Sequence, residues 1–357
     1  FPYVDVFTRP QDFDPILEAI GIDGEDLGGE FWPRTFAVPG GPTAYVPVIH
    51  GCDKFCTYCI VPYRRGRERS RPIAEVAHEV AVLAGNGARP DGRASAREVT
   101  LLGQTVEAYG HDLPEGPSLA DLFRAIHDTP GLERIRFLTS YPKDMTDAII
   151  RSVGELPKVC EYFNIPVQSG DDDILARMRR GYTLGEYRSV VEKIRRWVPS
   201  AAVSTDVIVG FCGETEEQFR RTYDLLAELH FDKVHVAAHS PRPGTIASRT
   251  MTDDVPQAVK MERLHAVEEL QESIAAQINA GLVGSVQEVL IEGQKGGAGR
   301  PADPRPKLHG RARTNKIVHF SGRGKPGDTA SVLIEKSSAW SLQGRQVAPA
   351  GAVVTGS

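Results

Sequence analysis

Three cysteines dominate the chemistry that this sequence can offer. The stretch His50-Gly-Cys52-Asp-Lys-Phe-Cys56-Thr-Tyr-Cys59 spaces them as Cys-x3-Cys-x2-Cys, directly after an apolar run that reads as a strand. The chain has only five cysteines and they are unevenly placed, so a metal site in a reducing compartment fits better than a disulfide framework. A tetrahedral structural zinc takes four protein ligands and would need His50 or the distant Cys160 as its fourth. An iron–sulfur cluster is also normally held by four thiolates; with three, a four-iron cluster keeps one iron open to a substrate or cofactor. Ligand softness and count favour the open cluster over zinc, and three inert buried cysteines are the weakest reading.

The second signal is charge. Arg64, Arg65, Arg67, Arg69 and Arg71 follow the cysteine loop with only Glu68 to offset them, and guanidinium forks suit phosphate oxygens. A further basic run comprises Arg300, Arg305, Lys307, Arg311, Arg313, Lys316, Arg323 and Lys325. Either run alone could be a solvated surface; together they favour RNA over a small metabolite. The formal net charge is -5, so any RNA contact has to come from these local patches.

These residues must be positioned by a sizeable scaffold. At 357 residues, 41% hydrophobic and 25% charged, the chain is globular, with room for roughly two domains, and collagen-like or wholly disordered classes are excluded. No run of about 18 uncharged apolar residues occurs, and FPYVDVFTRP lacks the features of a secretory leader, so a cytoplasmic protein with no membrane contact is expected. Residues 1–40 read as a short helix, Phe13 to Ile20, and a Gly/Pro-punctuated linker. Strands are expected at Tyr45–His50, Glu98–Leu102, Ile135–Thr139, Val159–Ile165, Ala202–Val209 and Lys233–His239, with helices between them. One helix covers Pro72–Ala84, and Ser118 with Asp121 and Thr183 with Glu186 look like capping boxes. Six strand–helix units imply a parallel sheet, open or curled into a partial barrel, with function at the carboxyl ends of its strands. A long helix, Gln257 to Asn279, closes this part. Residues 285 to 348 then alternate short strands, at Val286–Glu292, His309–Ala312, Lys316–Phe320 and Ala330–Glu335, with Gly/Pro/basic loops such as Gln294–Pro306, the pattern of a small antiparallel β-barrel.

Four segments carry a resemblance. GCDKFCTYCIVPYRRGRERSRP (Gly51–Pro72), LLGQTVEAYG (Leu101–Gly110), IPVQSGDDDILARMRRGYT (Ile165–Thr183) and STDVIVGFCGETEEQF (Ser204–Phe219) resemble the radical S-adenosylmethionine (radical SAM) methylthiotransferases. TYCIVPYRRGRERSR is most similar to the family of tRNA 2-methylthio-N(6)-dimethylallyladenosine synthases. The resemblance implies an α/β fold, a partial (β/α)6 radical-SAM barrel followed by a small TRAM-like barrel. The domains would be 1–40 (remnant of an N-terminal methylthiotransferase domain and linker), 41–281 (radical SAM core) and 282–350 (RNA-binding barrel). It implies that Cys52, Cys56 and Cys59 hold an open-iron [4Fe-4S] cluster that binds S-adenosylmethionine and cleaves it to a 5′-deoxyadenosyl radical. Gly103 and Gln104 would lie at the methionyl amine, with an amide where many relatives have Glu. Gln168, Ser169 and Asp206 would contact ribose or methionyl groups, although Gln168 and Ser169 could simply turn a loop; an Asp within the apolar run Val203–Val209 has to be paired or solvated. Tyr58 would stack on adenine or shield the cluster. Arg179 and Arg180 would add to the basic patch or bind the cofactor carboxylate.

The implied reaction replaces the C2 hydrogen of an isopentenylated adenosine beside the tRNA anticodon with a methylthio group. RNA contacts would come from Arg64, Arg65, Arg67, Arg69, Arg71, Arg311, Arg313 and Lys316, on a tRNA anticodon stem-loop. Electrons would come from a flavodoxin or ferredoxin, and the chain is expected to be a monomer. In the family, sulfur comes from a second [4Fe-4S] cluster on three cysteines of an N-terminal domain, and no cysteine precedes Cys52. Cofactor cleavage and RNA affinity with impaired sulfur insertion are therefore expected. Cys212 stands where the family usually has Pro and reads as a small buried residue rather than a ligand. Two other functions are weighed: a sister methylthiotransferase acting on threonylcarbamoyladenosine or a ribosomal-protein aspartate, and a zinc-stabilised RNA-binding remnant without catalysis.

Overall fold

Alternating apolar runs and amphipathic stretches become a curved parallel sheet in the computed structural model, which describes Val6, Thr8, Gly21 and residues 14–19, 41–85, 95–138, 141–294 and 307–348. Helix α1 (Asp14–Ala19) is followed by β1 (Thr43–Pro47), β2 (Ile49–His50), α2 (Val61–Arg65), β3 (Arg69–Ser70), α3 (Ile73–Ala84), β4 (Glu98–Leu102), α4 (Leu119–His127) and β5 (Arg134–Phe137). Then come α5 (Asp147–Glu155), β6 (Tyr162–Asn164), α6 (Asp172–Arg177), α7 (Leu184–Trp197), β7 (Ala202–Val209), α8 (Glu216–Leu229), β8 (Lys233–Ala238), α9 (Ile246–Thr250) and α10 (Gln257–Ala280). The expected linker residues 22–40, with Phe13, Ile20 and Thr139, lie outside the described residues.

Strands β1, β4 and β5 pair in parallel, as do β6, β7 and β8. An isolated parallel bridge between Ile135 and Val159, just before β6, brings the two three-stranded sheets edge to edge, so six strands run side by side. Strands β4 and β7 match the sequence expectation residue for residue. The expected run Tyr45–His50 divides at Val48, and Val159–Ile165 contributes only the short β6. The predicted capping boxes of α4 and α7 are both formed, and Thr215 with Gln218 makes a third on α8.

Register separates the two faces of this sheet. Val99, Leu101, Ile135, Phe137, Phe163, Val203 and Val207 share one core with Val80, Phe123, Ile150, Tyr187 and Leu225 of the helices. The other face is polar. Glu98 is opposite Arg134 and Thr100 opposite Arg136; Asn164 is opposite Ser204, which is opposite Lys233, and Asp206 is opposite His235. Strands buried on both faces would be apolar throughout, so this alternation marks a concave face built to meet something polar.

Part of that need is met at the strands' amino ends by a second unit. Strands β9 (Val286–Gln294), β10 (Lys307–Ala312), β11 (Ile317–Ser321), β12 (Thr329–Ser337) and β13 (Leu342–Val347) form a closed barrel in the order β10-β11-β13-β12-β9. Sequence reasoning expects an all-antiparallel barrel of four strands. The structure corrects this: β13 is a fifth strand, and it pairs with β11 in parallel. Only Leu342 of β13 is buried, so no apolar alternation announces the strand. Val289, Ile291, Leu308, Val318, Phe320, Val332 and Ile334 fill the interior.

The turn between β10 and β11 docks under the sheet. The Arg134 Nη1 donates to Arg311 O at 2.8 Å, and Arg136 donates to Arg313 O and Ala312 O, both at 2.7 Å. Arg313 in turn donates to Val159 O and pairs with Glu161, each at 2.8 Å, and Lys316 pairs with Asp232 at 2.6 Å. This corrects the reading of Arg313 and Lys316 as RNA contacts, since both are held in the joint between the two units. Arg311 pairs with Glu292 at 3.2 Å and keeps partial exposure.

Two carboxylates answer these arginines: Glu98, buried with both, is 2.9 Å from Arg136 and 3.8 Å from Arg134, and Glu288 of the barrel pairs with Arg134 at 2.8 Å. Removing one partner of a buried ion pair leaves an uncompensated charge. Glu98→Ala is therefore expected to destabilise the chain by about 3–5 kcal/mol, seen as an earlier guanidinium unfolding midpoint. An unchanged midpoint would show that the network is dispensable.

Candidate active site

The cysteine loop hangs from the carboxyl end of β2. Its first residue, Gly51, has φ +76, and a Cβ there would lie 2.1 Å from Arg67 O, so the tight return of the chain requires glycine. Asp53 N donates to Glu68 Oε1 at 3.2 Å and Glu68 N to Asp53 Oδ1 at 3.1 Å, a reciprocal clamp across the loop's base. Thr105 Oγ1 donates to the same Glu68 oxygen at 3.0 Å and ties the loop to the end of β4. At the far side Thr57 N donates to Met178 O at 3.0 Å and Ala247 N to Thr57 O at 2.8 Å, so α6 and α9 hold the middle of the loop.

Burial pushes the Cys52 thiol up to about 12, with Cys56 and Cys59 adding to the rise, and raises that of Cys59, with Cys56 adding to it. Soft ligands in such a place are readily deprotonated by a bound metal and by little else. Among the described residues the three loop thiols do not form a group whose ligand atoms all lie within 4.8 Å of one another. Around a single zinc, bonds of about 2.3 Å would draw thiolate sulfurs to about 3.8 Å apart. Three soft thiols in one short loop, with no fourth ligand in their spacing, suit a cluster that keeps one position open.

Arg180 is the centre of the surrounding wall. It is 5% exposed; Nη1 donates to Cys56 Sγ at 3.4 Å and to Tyr58 Oη at 3.3 Å, Nε to Tyr182 Oη at 2.9 Å and Nη2 to Pro166 O at 3.0 Å. Its guanidinium also lies 4.8 Å from the Tyr141 ring centre. Arg180 therefore faces the thiols, while Arg179, at φ +56, is exposed. Tyr58 packs edge-on to Phe211 at 6.5 Å.

The remaining expected contacts divide. Gly103 sits where a Cβ would lie 2.3 Å from Ile49 Cγ2, so its place is also a packing requirement. Next to it, Gln104 Oε1 is a buried acceptor with no hydrogen-bond partner, which is what a site for an ammonium group would leave. Gln168, at φ +71, pairs its backbone with Asp206 O and Ile208 N at 2.8 and 3.0 Å, continuing the line of β6 at the rim. Ser169 is corrected: fully buried, it accepts from Asp171 N at 3.3 Å and lies 3.4 Å from Thr222 Oγ1, so it turns the loop into α6. Asp206 projects from the polar face, with Asn164 Nδ2 at 3.5 Å. Sequence reasoning missed Asn164 and His235 beside it; the period-2 alternation in YFN and KVHVAA holds that signal, but only register assigns the face.

Arg64, Arg65, Arg67 and Arg69 are exposed around α2 and β3, next to the thiol loop. Arg71 is corrected: buried, it donates to Pro47 O at 3.0 Å and forms an ion pair with Glu79, a bracing role under the loop. Arg300 and Arg305 of the second basic run lie outside the described residues. Among the described residues no helix is long and apolar enough to cross a membrane.

Comparison with known proteins adds independent observations. The family profile described as the Radical SAM superfamily matches residues 46–226, and that described as the TRAM domain matches residues 281–347. The chain is 49% identical over 350 residues to the tRNA-2-methylthio-N(6)-dimethylallyladenosine synthase of Dehalococcoides mccartyi (strain CBDB1), covering 97% of this chain and 77% of that one. It is 47% identical over 348 residues to the synthase of the same name from Chloroflexus aurantiacus (strain ATCC 29366 / DSM 635 / J-10-fl), covering 96% and 71%. Among solved structures, a radical S-adenosylmethionine methyltransferase from Kitasatospora setae overlays at TM-score 0.47 and 18% identity, over 58% of this chain and 36% of that one.

Burial raises the Asp206 carboxyl above the usual range, against the favourable fields of His235, Asn164, Arg180 and Lys233. The folded chain thus binds this proton more tightly than the unfolded chain. The penalty for ionising Asp206 is absent below its unfolded pKa, and grows as pH rises through the window between the unfolded and folded values. In the cofactor-free chain, Asp206→Asn is expected to raise the melting temperature, by more at about pH 7 than at about pH 4. A shift of equal size at both pH values would remove the desolvated carboxylate from this account.

Proposed function

Because the chain belongs to the radical SAM family of tRNA-2-methylthio-N(6)-dimethylallyladenosine synthases, we propose that it performs that methylthiotransferase reaction at the carboxyl rim of its six parallel strands. The observation that carries the reading is the convergence of the Cys52–Cys56–Cys59 loop, the Arg180 guanidinium and the unpartnered Gln104 oxygen at one end of a polar concave face. A four-iron cluster with S-adenosylmethionine supplies one-electron cleavage of a sulfonium and hence a radical strong enough to take the C2 hydrogen of an adenine. The curated relatives named above share one substrate name, and the radical SAM profile matches the thiol loop, so neither a sister methylthiotransferase nor a zinc-stabilised remnant is favoured.

The chain's own residues do the positioning. Cys52, Cys56 and Cys59 would hold the cluster by three thiolates, which supplies a position for S-adenosylmethionine. Gln104 Oε1 would accept a hydrogen bond from the methionyl ammonium, and Asp206 would meet the ribose from the polar face. Arg180 sets a fixed positive charge beside Cys56, favouring a more reduced cluster, and Tyr58 shields that sulfur. Residues 41–281 carry the radical chemistry and 282–350 the RNA-binding barrel. The exposed Arg64 and Arg67 lie near the reacting end, and Lys307, Arg323 and Lys325 are the exposed cations of the second run. The partner is a tRNA anticodon stem-loop, the electron donor a flavodoxin or ferredoxin, and the setting the cytoplasm.

Two outcomes follow. Gln104→Leu is expected to keep the cluster's absorbance but to weaken S-adenosylmethionine binding about tenfold or more, because a hydrogen bond to a charged group contributes about 1.5–3 kcal/mol. Equilibrium binding to the iron-loaded chain reads this, and unchanged affinity would remove Gln104 from the cofactor site; in Cys56→Ala both the absorbance and 5′-deoxyadenosine formation should be lost. For RNA, the logarithm of tRNA affinity should fall steeply with the logarithm of salt, and the Arg64→Ala/Arg67→Ala variant should flatten that slope by about 0.7–0.9 for each phosphate contact removed. Salt-independent affinity would exclude a phosphate-reading role for this patch.

A further inference from the structure

A second group of metal-ligating side chains lies on the same rim, outside the thiol loop. Cys212 follows β7, His239 follows β8, and Asp253 lies between α9 and α10. One ligand atom from each falls within 4.8 Å of the other two, and among the described residues this is the one His/Cys/Asp/Glu group so gathered. The three line a cavity of about 230 Å³ together with Pro241, Ser248 and Met251. Sequence reasoning treats Cys212 as a small buried residue; it does not bring the other two to it.

The geometry decides between two chemistries. A Cys–His–Asp relay for nucleophilic catalysis puts thiol and carboxylate on opposite sides of the imidazole ring, each bonded to a different nitrogen. Here a single ring nitrogen of His239 lies within 4.8 Å of both the Cys212 sulfur and an Asp253 carboxylate oxygen. The Cys212 Sγ to His239 Nε2 distance is 3.6 Å. Bonds of about 2.3 Å to sulfur and about 2.0–2.1 Å to nitrogen, at the tetrahedral angle, separate those two atoms by about 3.6 Å. We propose that Cys212, His239 and Asp253 form a site for a borderline-soft divalent cation of the zinc class, with a fourth coordination position opening into the cavity.

The surroundings suit this role. Lys260, buried, donates to His239 O at 3.1 Å and to Asp253 Oδ1 at 2.5 Å, which holds two ligand-bearing segments from behind. A carboxylate has about four lone-pair sites, so this bond leaves others for a cation. Phe211 packs edge-on against His239 at 5.0 Å and fixes the plane of its ring. An ion here would brace the post-β7 and post-β8 segments against α9, which itself binds Thr57 of the thiol loop through Ala247. The site is thus placed to stiffen the rim without touching the reacting atoms.

The thiol loop could also capture added metal, so the test separates the two sites. In the full chain with its iron cluster reconstituted, elemental analysis after dialysis against a weak chelator is expected to find about one zinc per chain, and none in Cys212→Ser. In a full-length variant lacking Cys52, Cys56 and Cys59, added cobalt(II) is expected to give a thiolate charge-transfer band that Cys212→Ser abolishes. His239→Gln should weaken cobalt binding by at least about tenfold. Should Cys212→Ser fail to fold, Asp253→Asn keeps the thiol and should retain the band at weaker affinity. Absence of zinc from the iron-loaded chain together with no cobalt band, or a band that survives in folded Cys212→Ser, would overturn the assignment. Cluster assembly on the thiol loop is read separately from iron content, so a failure there is distinguishable from a failure here.

Discussion

A carboxylate held between two buried guanidiniums is the interaction on which the architecture depends. Glu98, Arg134 and Arg136 all point from the amino ends of β4 and β5 into the concave side of the sheet. Three charges there could not stay unpaired, and one carboxylate cannot answer two guanidiniums. The small barrel supplies the rest: Glu288 pairs with Arg134 at 2.8 Å, and backbone carbonyls of Arg311, Ala312 and Arg313 accept the remaining donors. The second unit is thus part of how the first satisfies its interior. A linker-tethered RNA-binding module free to swing is excluded by the same contacts, because any reorientation would strip a buried arginine of its acceptors.

The opposite end of the concave face meets the same physical demand in another way. Asp206, Asn164, Ser204 and His235 form a polar wall partly satisfied within itself, Asn164 Nδ2 donating to Ser204 Oγ at 3.0 Å, and among the described residues the buried Gln104 Oε1 has no hydrogen-bond partner. Polar groups on a half-buried surface need partners, and a bound cofactor with an ammonium, a carboxylate and two ribose hydroxyls supplies several. Burial raises the Asp206 carboxyl, so its ionisation in the folded chain carries a desolvation cost. Such local conflicts between burial and charge concentrate where ligands bind.

Much of this was legible in the sequence. The three-thiol spacing, the six strands, the cap at Thr183 and the change of character after residue 281 follow from residue type and period, because each is written within a short window. What a window cannot hold is which face of a strand points inward and which cation already has a partner. Arg71, Arg313 and Lys316 look like the exposed Arg64 in the sequence, yet Glu79, Glu161 and Asp232 claim them through contacts 8, 152 and 84 residues apart. Ser169 fails for the same reason, its partner Thr222 being on another helix. Strand β13 is lost because a closed barrel can keep a strand by hydrogen bonds on both edges with one buried side chain.

The placement of the small barrel at the amino ends also bears on what kind of substrate fits. Gly327 of that barrel lies against Pro42, just before β1, whereas the thiol loop begins just after β2. The eight residues of β7 measure the depth of the sheet, roughly 26 Å at about 3.3 Å per residue. The basic surface of α2 and β3 and the exposed cations of the small barrel therefore lie at opposite ends of a rigid body. A free nucleoside could reach only one of them. On the tRNA reading proposed above, a phosphate chain spanning both would meet each basic surface at a separation that the joint at Glu98, Arg134 and Arg136 sets.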